Sequence, residues 1–144
     1  MSFDKHITPT PEQLSHLGVQ DTAQALRNLD LLGAKLGPEG FSEIISLLLA
    51  DLPKAADPDM AINNFERFVG ALADSPSFVS LCRGRHDVLR ALITIFGASR
   101  FLSTFLVTIA DESLVILSDP LVLSHPTDKQ QLADQVLAAG GETL

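Results

Sequence analysis

Asp57 and Asp59 stand one residue apart in Asp57-Pro58-Asp59. Two carboxylates at that spacing can hold magnesium in phosphoryl-transfer chemistry. The same tripeptide also spells a helix start. Asp57 can cap, Pro58 suits the first helical position, and Asp59 favours the positive end of the helix dipole. Capping accounts for all three residue types and metal binding for only two, so the cap is the fuller reading. His6, His16, His86 and His125 never fall within helical reach of one another, which leaves no visible metal pair. Cys82 precedes Arg83, and a nearby cation can lower a thiol pKa. No His and acid stand beside it, so it reads as a small buried apolar residue. Ser99 follows Gly97-Ala98, which is not the G-x-S-x-G nucleophile elbow. No phosphate loop or dinucleotide fingerprint is present. The chain shows no recognisable catalytic set.

The basic residues are the remaining candidates. The 144-residue chain carries a net charge of −8, unevenly spread. Residues 1–64 hold 4 Lys/Arg and 9 Asp/Glu, residues 65–100 hold 5 Arg and 3 acids, and residues 101–144 hold 1 Lys and 6 acids. The middle segment alone is positive. Arg83, Arg85, Arg90 and Arg100 there can gather an anion or an acidic partner, although a solvated face with local ion pairs explains them more simply. Arg67, Arg83, Arg85 and Arg100 are the candidate interaction surface. The acidic total argues against nucleic-acid binding, which needs a basic surface.

The elements that must position these residues read as helices throughout. Thr10-Pro11-Glu12-Gln13 is a helix start with Thr10 as cap and Gln13 at the third position, and Gly18 ends that helix. Asp21 caps the next, with Ala25, Leu29 and Leu32 at helical spacing until Gly37-Pro38 stops it. Phe41, Ile44, Ile45, Leu48, Leu49 and Leu52 predict a helix over 42–52. After the Asp57 cap, Ile62, Phe65, Phe68, Val69 and Leu72 line a buried face. Asp74-Ser75-Pro76 marks a turn or a cap, followed by one short helical turn to Gly84. Val88, Leu89, Leu92, Ile95 and Phe96 build a further helix, with Gly97 as its left-handed end and Ser99 as the next cap. Phe101, Leu102, Phe105, Leu106 and Ile109 continue the pattern. Asp111 or Ser113 starts a brief helix to Leu117, and Thr127 or Asp128 caps a last one over 129–139. A strand over 114–123 is the alternative there, but it would have no partner. The expectation is an all-α, compact bundle of about eight short helices with no sheet. Residues 1–9 read as a flexible N-terminus, 10–139 as one helical domain and 140–144 as a tail. Phe65, Phe68, Leu72, Leu92, Phe96, Phe101 and Phe105 are the expected packing residues.

Composition narrows the class further. Hydrophobic residues make up 46% and charged residues 19%, which excludes a disordered chain. Mean hydropathy is +0.24, high enough to suggest that a partner covers part of the surface. All aromatic residues are Phe, which offers bulk without a polar handle. One Cys excludes an internal disulfide and fits a reducing cytosol. The start, MSFDKHITPTPEQ, has early charge and no apolar run, unlike a signal peptide. Arg90, Gly97-Ala98-Ser99 and Arg100 cut the apolar stretch 88–110 into pieces of about ten residues, half of the roughly 20 that a spanning helix needs. The expected location is cytoplasmic, with no membrane partner.

Three segments carry a resemblance: Leu17-Gly18-Val19 with Asp21…Ala25-Leu26; Asp57 through Phe68, DPDMAINNFERF; and Leu92 through Leu102, LITIFGASRFL. In this order and spacing they resemble the bifunctional glutamine synthetase adenylyltransferase/adenylyl-removing enzyme over about residues 17–120. The resemblance implies a helical region that precedes a nucleotidyltransferase domain. Enzymes of that family attach and remove AMP on a tyrosine of glutamine synthetase, using Mg2+ and ATP, under control of PII signalling proteins. Their catalytic motif, a Gly-Ser or Gly-Gly turn followed by an Asp-x-Asp pair, is not found here. Asp57 and Asp59 match the family's helix-opening turn instead, so no catalytic, cofactor or metal residue is carried over. Asn63-Asn64 and Asp111–Leu117 match the family more loosely, and the residues after Pro120 are unplaced. The implied partners are a nucleotidyltransferase domain in cis or trans, glutamine synthetase and PII proteins. The competing reading is a stand-alone helical protein-protein interaction module without enzymatic activity.

Overall fold

The computed structural model describes residues 8–119, and every regular element among them is helical. Seven α-helices follow in order: α1 (Pro11–His16), α2 (Thr22–Asp51), α3 (Pro58–Ala71), α4 (Ser75–Gly84), α5 (His86–Phe96), α6 (Arg100–Thr108) and α7 (Ala110–Leu117). A 3-10 turn, Leu52–Lys54, links α2 to α3. The helix expected over 129–139, the segments 1–7 and 140–144, and the end of the alternative strand lie outside the described residues. Residues 114–117 of that strand are helical.

The cap residues set the helix starts. Thr10 accepts the Gln13 N–H at 3.1 Å while the Gln13 side chain accepts the Thr10 N–H at 2.8 Å, a complete capping box. Asp21, Asp57, Asp74 and Ser99 each accept a backbone N–H three residues on. Two helices run longer than expected. The one expected from Ser42 begins at Pro38, and α4 extends over ten residues rather than one turn. Its Asp74 cap and the buried Phe78, Val79 and Cys82 account for the extra length.

α2 is continuous in name only. At Gly37 the backbone takes φ 80 and ψ 167, a conformation that glycine adopts without strain, and Pro38 then restarts the helix. The break is a reversal. The N–H groups of Gln20 and Asp21 both donate to Asp59 at 2.8 Å, placing the start of α2 beside the start of α3. A straight 30-residue helix would be about 45 Å long, whereas the residues from Asp51 to Asp57 reach at most about 20 Å. The two arms of α2 therefore fold back on each other, and the first arm runs in the same direction as α3.

The core is built around phenylalanine. Phe65 and Phe68 of α3 meet Phe78 of α4 and Phe96 of α5, with ring centroids 5.4–6.3 Å apart and every pair tilted or edge-on. All four rings are fully buried. Leu72 and Leu92 are buried as expected, and Phe105 packs against the edge of the core. Phe101 departs from expectation: it is 67% exposed. α6 turns Leu102, Ser103 and Leu106 inward; the Ser103 hydroxyl bonds the Ser99 carbonyl of its own turn at 2.7 Å and reaches the Ile95 carbonyl at the end of α5 at 3.4 Å. Phe101 is thereby rotated to the outside.

Candidate functional site

The Asp57-Pro58-Asp59 carboxylates are both engaged by backbone. Asp57 accepts the Met60 N–H at 3.1 Å, and the two Asp59 oxygens take the Gln20 and Asp21 N–H groups. The second role ties the α1–α2 loop to α3 and was not visible in the local sequence. Asp111 has a similar long-range task, accepting the Ala73 N–H at 3.1 Å rather than capping α7. Among the described residues, no group of three or more His, Cys, Asp or Glu side chains is placed to hold a metal ion.

Cys82 is fully buried on α4, and burial pushes its thiol pKa up to about 12. A thiol protonated and enclosed is a poor nucleophile. Its titration carries a stability consequence. The native pKa lies above the ordinary value of about 9, so this contribution is whole below pH 9 and is lost as pH climbs toward about 12. Cys82→Ala is expected to flatten the alkaline limb of a stability–pH profile. Ellman's reagent at neutral pH is expected to react only as fast as the chain unfolds; immediate stoichiometric labelling of the native chain would contradict this burial.

The four candidate arginines are not brought together. Arg83 on α4 forms a two-pronged pair with Glu43 of the second arm of α2, at 2.8 and 2.9 Å, and holds the Glu43 carboxyl below its usual range. Arg85 donates twice to Asp87 at 2.9 Å and once to the Ser118 carbonyl at 3.0 Å, joining the α4–α5 junction to the end of α7. The Arg85 guanidinium lowers the Asp87 pKa. Arg90, outside the candidate set, lies 3.8 Å from Asp51. Arg67 and Arg100 behave differently. Both are exposed, and Arg100 lines a shallow depression of about 270 Å³ with Asp21, Gln24, Asn28, Asp59 and Asn63. An amide relay crosses its floor: Gln24 Nε2 donates to Asn28 Oδ1 at 3.2 Å, and Asn28 Nδ2 donates to Asn63 Oδ1 at 3.4 Å. The neighbouring Asn64 is buried and donates to the Phe96 carbonyl at 3.0 Å. The depression thus presents the Arg100 guanidinium and the Gln24, Asn28 and Asn63 amides beside the Asp21 and Asp59 carboxylates.

That surface sits on a chain with clear relatives. A protein of Streptomyces coelicolor is 30% identical over 131 residues, covering 89% of this chain and 13% of its own length. One from Bifidobacterium longum is 33% identical over 98 residues, and one from Rhodopseudomonas palustris 27% identical over 108 residues. All three are bifunctional glutamine synthetase adenylyltransferase/adenylyl-removing enzymes. The chain is a homologue of one segment of this enzyme. It spans 13% of the length of the Streptomyces relative and 9% of the Bifidobacterium one. No family model matches the chain, and no solved structure matches it. The coverage fits a helical segment rather than a complete bifunctional enzyme. No described helix is long and apolar enough to cross a membrane.

Proposed function

We propose that the chain is a non-catalytic helical region of a glutamine synthetase adenylyltransferase-like protein, and that it packs beside a nucleotidyltransferase domain and positions that domain or its protein substrate. The observation that carries this reading is homology to a small segment of a large enzyme, and the exposed Arg67 and Arg100 support a contact role. The Asp57 and Asp59 carboxylates accept backbone N–H groups, the cysteine is buried, and Arg67 and Arg100 are exposed on helix surfaces. In this reading the N-terminal helical region of the family is the matching segment, the setting is nitrogen regulation in the cytoplasm, and glutamine synthetase and PII proteins come within reach through the assembled protein. Mg2+ and ATP belong to the catalytic domain and not to this region.

Two measurements test it. Titrating the chain with Mg-ATP in a calorimeter is expected to give no binding heat and no shift of thermal midpoint; saturable binding would overturn the non-catalytic assignment. Sedimentation of the chain mixed with the nucleotidyltransferase region of the source cell's adenylyltransferase is expected to show a complex. Two independently sedimenting species at high concentration would favour a stand-alone module.

A further inference from the structure

Eight Lys and Arg side chains lie among the described residues, and they divide cleanly. Lys54, Arg83, Arg85 and Arg90 each lie within ion-pairing distance of a carboxylate. Arg27, Lys35, Arg67 and Arg100 form no ion pair among the described residues, although all four are exposed on a chain of net charge −8. Arg27 donates to the Gln24 side chain at 2.7 Å, and Arg67 acts on the neighbouring Glu66 only through its field.

These four are on three helices that run side by side. Asp59 receives the start of α2, and Asn28 reaches Asn63 further along, so the first arm of α2 parallels α3. Arg100 at the start of α6 shares a depression with Met60, and Asp111 just beyond α6 bonds Ala73 just beyond α3, so α6 parallels α3 as well. Gln24 and Asn28 line the depression from the α2 side. Helical periodicity continues that stripe through Leu31 and Lys35. On α3 the lining residues Met60 and Asn63 continue to Arg67. On α6, Arg100 continues to Thr104. Together they make a groove with α3 as floor and the other two helices as walls. Among the described residues, two of the three exposed large apolar side chains lie on these walls' helices: Leu31 at 55% and Phe101, beside Arg100, at 67%.

We propose that this groove docks an acidic amphipathic helix of a protein partner. The proposal rests on the reading that the chain works by contact, and names the surface and the chemistry of what it contacts. Three features select this occupant. The four cations form no ion pair among the described residues. The two carboxylates at one end of the groove, Asp21 and Asp59, are already engaged by three backbone N–H groups. The positive charges are also spread lengthwise: Lys35 lies eleven residues beyond Gln24, about 16 Å along α2, and Arg67 seven beyond Met60, about 10 Å along α3. A row of carboxylates at helical spacing matches that spread, whereas one phosphate group does not. Leu31 and Phe101 supply apolar anchors for the same helix.

The test uses the 144-residue chain and a fluorescein-labelled helical peptide carrying Glu at positions i, i+4, i+7 and i+11 with Leu on the same face. Saturable binding that weakens with added salt is expected, and a Lys-for-Glu peptide should not bind. Arg67→Glu with Arg100→Glu is expected to weaken binding about tenfold or more, while Arg83→Glu with Arg85→Glu changes it less than about twofold. Arg67→Gln with Arg100→Gln gives a milder loss in the same direction and guards against misfolding. Amide chemical shifts should move within 24–35, 60–67 and 100–104. Absence of binding to the folded chain, equal binding of the Lys peptide, shifts elsewhere, or insensitivity to the Arg67 and Arg100 changes would overturn the groove. Full displacement by tripolyphosphate at equimolar concentration would also overturn it, in favour of a phosphate ligand. Peptide binding at the groove without a complex with the nucleotidyltransferase region would remove the functional reading and leave the groove; the opposite pattern would remove the groove alone.

Discussion

Phe96→Ala is expected to lower folding stability by about 3–5 kcal/mol, the range for a large aromatic truncated in a closed core. Phe96 touches both α3 rings, Phe68 at 5.4 Å and Phe65 at 6.3 Å, and its carbonyl receives the buried Asn64 amide. The lost ring leaves a cavity bounded by Phe65 and Phe68, which are held by Phe78 from the other side and have little room to collapse inward. Single domains are stable by only about 5–15 kcal/mol, so the variant should be close to unfolding at physiological temperature. The chain has no Trp and no Tyr, so urea unfolding must be followed by circular dichroism at the helix band. A loss below about 0.5 kcal/mol, the scale of an ordinary surface change, would show that this four-ring core is wrong.

Gly97→Ala is expected to destabilise, and the sign is the informative part. Gly97 has φ −93, where any L-residue fits, so backbone conformation does not demand glycine. Replacing glycine by alanine at such a site ordinarily stabilises by about 0.4–1 kcal/mol through the unfolded chain. Here space decides instead. A Cβ would lie 2.8 Å from the Ala55 Cβ, 3.2 Å from the Asp57 carbonyl oxygen and 3.3 Å from the Ala61 Cβ. The Asp57 N–H also donates to the Gly97 carbonyl at 2.9 Å, which fixes the two segments together. Overpacking of this kind costs about 1–3 kcal/mol, and Gly97→Val should cost more than Gly97→Ala. Ala55→Gly should recover part of the Gly97→Ala loss, because it removes the nearest obstructing atom. A rise in thermal midpoint for Gly97→Ala would contradict the close approach of α5 to the α3 entry loop.

Gly97 also marks where sequence reading fails. At the end of an apolar helical stripe a glycine reads as a left-handed terminus, since that is its commonest local use. Its actual task is set by Ala55 and Ala61, some forty residues earlier, and no local pattern carries that information. The cap residues show the opposite case. Thr10 with Gln13, Asp21, Asp57 and Ser99 each bond an N–H within three residues, so spacing alone displays them. The same holds for the helix break at Gly37-Pro38, where the two residue types mark the stop, although the reversal of direction there shows only in the long-range Asp59 contacts.

The candidate surface was half legible. Charge patterning identified the arginines of segment 65–100 as the place where an anion would be met. It could not separate Arg83, matched to Glu43 from forty residues away, from Arg67 and Arg100, which form no ion pair among the described residues. Nor could it supply Arg27, Lys35 and Leu31, which join the surface only because α2 folds back and sets its first arm alongside α3. Phe101 was misassigned for a related reason. Apolar periodicity on α6 is satisfied by Leu102 and Leu106 with a buried serine between them, and a serine does not register as a core residue.

AMP transfer to glutamine synthetase by the nucleotidyltransferase region of the source cell's adenylyltransferase, measured with labelled ATP in the absence and presence of the 144-residue chain, tests the central claim most directly. The account predicts no transfer by the chain alone and a faster rate when the chain joins the nucleotidyltransferase region. Transfer by the chain alone, or a rate unchanged at saturating concentrations of the folded chain, would contradict it.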